Sequence, residues 1–130
     1  MKKVIKTLLT ILLVLFLGFV TIVGYFFYQM TGPQYFQKNN FNTAEWKQNL
    51  EKFNDIKLFM VDDLLKNHQL IGKTRDEVKS ILGVPPPTDY FQDYDYVYRL
   101  GREGGLGVDS KWLGLKFEND LVISADILRD

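Results

Sequence analysis

The sequence predicts an α+β protein: an N-terminal transmembrane helix, then two or three short helices packed on a three-stranded antiparallel β-meander. Three observations predict it. Residues 7–28 carry no charge, apolar residues between positions 43 and 82 recur at helical spacing, and from Tyr94 onward they alternate with polar ones. Helices that precede strands, rather than interleave with them, give an order in which the helices cover one sheet face.

The first element is the run TLLTILLVLFLGFVTIVGYFFY, residues 7–28, which as a helix rises roughly 33 Å and so matches a bilayer's hydrocarbon core. A secretory signal has a shorter apolar core, about 7–15 residues, and small residues at a cleavage site. Here no Ala precedes Ala44 and no cysteine is present. The run therefore reads as an uncleaved signal-anchor lodged in a lipid bilayer, with a cleaved signal and a buried soluble helix as alternatives. Lys2, Lys3 and Lys6 precede it and the next basic residue is Lys38, which predicts a single-pass protein with its N-terminus on the cytoplasmic side. Tyr25, Phe26, Phe27 and Tyr28 would form an aromatic belt at the exit. Gly18 and Gly24 do not make a GxxxG pair.

Residues 29–42, with Gly32-Pro33 and several amides, read as a juxtamembrane linker on which Tyr35, Phe36 and Phe41 face the membrane interface. An extracytoplasmic domain over 43–130 follows. In TAEWKQNLEKFN, Trp46, Leu50 and Phe53 share one helical face, with Asn42 and Glu45 as a capping pair. A second helix covers Ile56 to Lys66, with the stripe Leu58, Phe59, Val61, Leu64 and Leu65. The third has the clearest signals: Thr74 and Glu77 as a capping box, Val78, Ile81 and Leu82 as the buried face, Gly83 as a left-handed stop, and Pro85 to Pro87 beyond it. Tyr94, Tyr96, Tyr98 and Leu100 mark the first strand and Lys111 to Glu118 the second. Asn119-Asp120 is a tight turn into Leu121 to Leu128, where Ile123, Ala125 and Ile127 share a face.

Composition excludes several function classes. Without the three N-terminal lysines the chain has 13 basic against 16 acidic residues, and no basic stripe suited to nucleic acid. The absence of cysteine removes disulfides, thiolate metal sites, Cys nucleophiles and acylation through Cys. His68 is the only histidine, and its place at a helix end is sufficiently explained by helix electrostatics. GREGGLGVDS, residues 101–110, lacks the Gly-Lys-Ser/Thr of a phosphate loop and leads into a strand. Asp89, Asp93 and Asp95 do not follow calcium-loop spacing. The expectation is a non-enzyme without cofactor or metal.

What the residues do concentrate is amphipathic aromatic area. Tyr90, Phe91, Tyr94, Arg99, Arg102 and Trp112 are the candidate partner-binding surface, together with the 101–110 loop, while most of Tyr94, Tyr96 and Tyr98 are expected to be structural. Trp112 joins that surface if the sheet face opposite the helices is open.

One segment also resembles a known family. Leu70, Gly72, Thr74, Glu77, Val78, Leu82, Gly83 and Pro85, followed by a Tyr-rich strand and a closing F-x-N hairpin, resemble SmpA/OmlA (BamE-like) domains over about Leu70 to Leu128. The resemblance implies a β-lactamase-inhibitor-protein-like fold and a protein-binding or scaffold module of the bacterial envelope. Members that serve outer-membrane assembly are typically lipoproteins, and this chain has no Cys to acylate. The expectation is thus a module in the cytoplasmic membrane with an envelope protein partner; an inhibitor or immunity protein against a hydrolase or toxin is the alternative.

Overall fold

The computed structural model describes residues 1–31, 38–102 and 109–130. The chain divides into two compact units, 1–35 and 36–130.

The first unit is helix α1, Lys2–Thr31. Its Leu, Ile, Val and Phe side chains are exposed around the whole circumference. Among the described residues it is the one helix long and apolar enough to cross a membrane, a description that a signal sequence also meets. The hydroxyls of Thr7, Thr10 and Thr21 donate to the carbonyls of Lys3, Lys6 and Gly18 at 2.8–3.0 Å. Such back-bonding satisfies a polar group inside the helix, as an apolar surrounding requires.

In the second unit, helices α2 (Thr43–Gln48), α3 (Ile56–Asn67) and α4 (Arg75–Leu82) precede strands β1 (Tyr96–Arg102), β2 (Ser110–Glu118) and β3 (Leu121–Arg129). The sheet is antiparallel in the order β1-β2-β3, so the α+β arrangement holds. Its inner face carries Tyr96 opposite Leu115 opposite Ala125, and Tyr98 opposite Leu113 opposite Ile127. Trp46, Met60, Val61, Leu64, Leu70, Val78 and Leu82 pack against that face with Tyr98, Leu100, Leu113, Leu115 and Val122 to form the core.

The folded unit begins before the expected boundary at residue 43. The Asn39 N–H donates to the Phe59 carbonyl at 2.9 Å, the Phe41 N–H donates to Asp63 at 2.8 Å, and Lys38 pairs with Asp62 at 2.7 Å. The Phe41 N–H, and after it the Asn67 amide, hold the Asp63 carboxyl below its ordinary range. Phe41, expected at a membrane interface, packs edge-on against Trp46 and His68. Tyr35 and Phe36 lie outside the described residues.

Local signals placed α4 well. Thr74 accepts from the Glu77 N–H at 3.2 Å and Glu77 accepts from the Thr74 N–H at 2.8 Å, closing the capping box. Gly83 ends the helix with φ +79° and ψ 174°, positive φ as expected but extended rather than left-handed helical in ψ. A Cβ there would meet Leu50 Cδ1 at 2.6 Å.

Three expectations are corrected. The helix bearing Trp46 stops at Gln48, which leaves Leu50 and Phe53 beyond it and Phe53 87% exposed. Asn49 is the reason: its amide donates to the Glu45 carbonyl at 2.7 Å, while its own carbonyl accepts from Lys57 Nζ. In α3 the buried stripe is Lys57, Met60, Val61 and Leu64, so the core face is turned from the expected one and Leu58 and Leu65 pack at its margin. In β3 the register shifts where Lys116 pairs with Ser124 and Phe117 with Val122. That bulge makes Val122 the core residue and leaves Ile123 half exposed, because an inserted residue reverses the alternation beyond it. The turn itself is as expected, with Asn119 and Asp120 both at positive φ. Before α4, residues 72–74 add a short pairing to the start of β3, seen in Gly72 N–H to Val122 O and Val122 N–H to Lys73 O at 2.9 Å.

Candidate partner-binding face

The outer face of the sheet carries Val97 opposite Gly114 opposite Asp126, and Arg99 opposite Trp112 opposite Leu128. None of the three helices covers this face. The segment between α4 and β1 returns over it instead, because the prolines at 85–87 stop the helix and Phe91 takes φ +55°. This return brings Tyr90 and Phe91 onto Trp112, with ring centroids 5.1 and 6.0 Å away. Tyr94 lies flat enough on Gly114 that a Cβ there would approach its ring to 2.6 Å, and its hydroxyl donates to Asp126 at 3.2 Å.

Trp112 is buried, 7% exposed, and its Nε1 donates to Asp130 at 3.0 Å. The sheet face is therefore closed over Trp112, which serves as the floor of a cleft rather than as an open contact. Tyr90 stays 53% exposed at the rim. The cleft has a volume of about 310 Å³. Its floor is Val97, Arg99 and Trp112; Leu50, Glu51, Lys52 and Phe53 line one side, and Pro86, Pro87, Thr88 and Tyr90 the other. A smaller hollow of about 220 Å³ lies on the far side of the proline segment, between Phe91, Tyr94 and Asp95.

Arg99 is partly buried and donates from Nη2 to Ser110 Oγ at 3.1 Å, with its guanidinium 5.1 Å from the Phe53 ring centroid. Behind it Lys57 is fully buried, and its ammonium is bonded to the Asn49 carbonyl. Burial first, and then the nearby Arg99 charge, lower its pKa to about 8. Arg102 is exposed, and its backbone N–H donates to Asp55 at 2.9 Å.

Of the six residues expected from sequence, Tyr90, Arg99 and Trp112 meet in the cleft, Phe91 backs Trp112 from the neighbouring hollow, Tyr94 sits over Gly114, and Arg102 lies at the end of β1. The loop named with them falls largely in residues 103–108, outside the described residues. Sequence reasoning missed Phe53, Lys57 and the proline wall. The expected helical face carries Phe53 with Trp46 and Leu50, and the expected α3 stripe does not include Lys57; the Asn49 side chain is the local signal that ends α2 before Phe53.

Among the described residues no group of three or more His, Cys, Asp or Glu side chains is placed to hold a metal. His68 Nε2 lies 3.5 Å from Asp63, across the molecule's α3 surface rather than in the cleft. Comparison with known proteins finds no matching family model, and no curated protein or solved structure that matches significantly.

Proposed function

We propose that this chain is a membrane-tethered, non-enzymatic protein-binding or scaffold module of the bacterial cell envelope. On this reading α1 stays in the cytoplasmic membrane with the N-terminus inside, and the second unit works on the extracytoplasmic side. The observation that carries the reading is the aromatic-floored cleft on the outer sheet face, rimmed by the exposed rings of Tyr90 and Phe53 and floored in part by Arg99. Aromatic residues and arginine set in a partly desolvated hollow are the types that dominate binding energy at protein interfaces. The SmpA/OmlA resemblance points the same way. The lysine asymmetry around α1 supports the orientation.

Two measurements test this. A photo-crosslinking amino acid placed at Tyr90 in native membranes is expected to give a discrete adduct that the same group placed at Glu118 does not give. Identical adducts from both positions, or none from Tyr90, would count against the cleft as a contact. Because the chain has no cysteine, single-cysteine variants report sidedness directly. Glu118→Cys is expected to react with an impermeant maleimide in intact cells with the outer membrane permeabilised, and Lys2→Cys only after lysis.

A further inference from the structure

We propose that the cleft floored by Val97, Arg99 and Trp112 takes an acidic, apolar peptide segment of the partner. An aromatic or branched aliphatic side chain would lie on Trp112 between Phe53 and Tyr90, and a carboxylate of a neighbouring residue would pair with the Arg99 guanidinium. This rests on the protein-binding reading above and specifies its ligand chemistry.

Charge complementarity selects the acid. Arg99 presents five N–H donors, of which the structure shows one bonded, to a neutral hydroxyl. The ion pairs Lys38–Asp62, His68–Asp63, Arg75–Asp95 and Arg75–Asp120 do not include Arg99. Three carboxylates of the same unit are engaged from within the fold. Asp126 accepts from Tyr94, Asp130 from the Ser110 N–H and the Trp112 indole, and Asp55 from the Arg102 N–H. The exposed Glu51 at the rim stands beside Lys52, so the ionisable side chains lining the cleft leave a surplus positive charge. Lys57 adds a second cation behind Arg99, and the two repel, which an incoming carboxylate would relieve. A guanidinium fork matches a carboxylate bidentately, and in a partly dry site such a pair is stronger than at an open surface.

The apolar half follows from area. Phe53 and Tyr90 expose their rings on either side of a floor of Val97 and Trp112, so a flat side chain inserted there would be covered on three sides. The cleft is at the low end of ligand-pocket volumes, which suits one or two side chains of a chain crossing it.

The test is selection of random displayed peptides on the full-length protein held in phosphatidylcholine nanodiscs. The expected result is enrichment of peptides with Asp or Glu beside an aromatic or aliphatic residue. Changing that acid to its amide is expected to weaken binding about tenfold, and Arg99→Gln by a similar factor. The amide-substituted peptide keeps the test decisive even if Arg99→Gln does not fold. Enriched peptides that lack an acid, or that bind regardless of both changes, overturn the carboxylate pairing while leaving the module reading intact if Tyr90→Ala still weakens them. Displacement of the acidic peptides by phosphatidylglycerol vesicles in proportion to lipid would reassign the cleft to a headgroup and overturn the proposal. No enrichment over empty nanodiscs would overturn both.

Discussion

Lys57 shows how one side chain couples the core to the cleft. Its stem belongs to the buried stripe of α3, and its ammonium closes the end of α2 by bonding to the Asn49 carbonyl. Its pKa falls from 10.5 to about 8 through burial and then through Arg99. Below about pH 8 the ammonium is charged in both folded and unfolded chains, and the cost of burying it is present in full. Between about 8 and 10.5 the unfolded chain binds more protons, so the free energy of unfolding rises with pH. Tyr98 acts in the opposite sense at the upper end. Burial, and then Tyr96, raise its pKa above the ordinary 10.0, so its contribution is complete below pH 10 and is lost as pH climbs further. Urea unfolding followed by tryptophan fluorescence is expected to show a midpoint that increases from about pH 7.5 to 9.5 and turns over past about 10. Lys57→Met is expected to flatten the rise; a rise that persists in that variant would assign it to another group. Sequence periodicity could not place this lysine inside, since a cation at a helix position is ordinarily read as solvated. Its burial is legible only from Asn49, a residue on another element.

At the scale of elements, legibility tracks how local the determinants are. Helix α4 could be read from the sequence because its start and stop are written in its own residues: a reciprocal cap at Thr74 and Glu77, a glycine, then prolines. Thr74→Ala is expected to cost about 1 kcal/mol of stability, measured as a lowered urea midpoint at unchanged slope. Gly83→Ala is expected to cost more, about 2–3 kcal/mol, because its φ and ψ lie in a region open to glycine almost alone and Leu50 fills the space a Cβ needs. An equal or smaller loss than Thr74→Ala would mean that Leu50 yields freely. The end of α2 and the face of β3 were not legible for the converse reason. One depends on Lys57 arriving from α3, and the other on a bulge opposite Lys116 and Phe117 that exchanges Ile123 for Val122 in the core. The candidate site divides in the same way. Its aromatic residues were visible as composition, but the cleft exists only because the proline segment and residues 50–53 close on the sheet from two separate places in the chain.

At the scale of the whole molecule, the two units have opposite solvent requirements. Among the described residues, the second unit's hydrophobic core runs from Trp46 to Val122, with flanking partners from Phe41 to Ala125. Burial of Trp46, Tyr98 and the leucines among them supplies hydrophobic stabilisation within that unit. By contrast, α1 exposes apolar side chains on all sides and buries none of the window that would span a bilayer. A helix of that kind is satisfied by lipid or by a core of its own, and unit 1 provides no core. These facts predict different behaviour on separation. Full-length protein is expected to remain with the membrane fraction through alkaline carbonate extraction. A chain starting at residue 36 is expected to be soluble and to unfold in one cooperative transition, with a midpoint close to that of the same unit in the full-length protein. Release of full-length material by carbonate would remove the anchor and leave a processed or peripheral segment in its place. A truncated chain that aggregates or melts without cooperativity would show instead that the domain depends on residues before 36, and that the division between the units is not a division in folding.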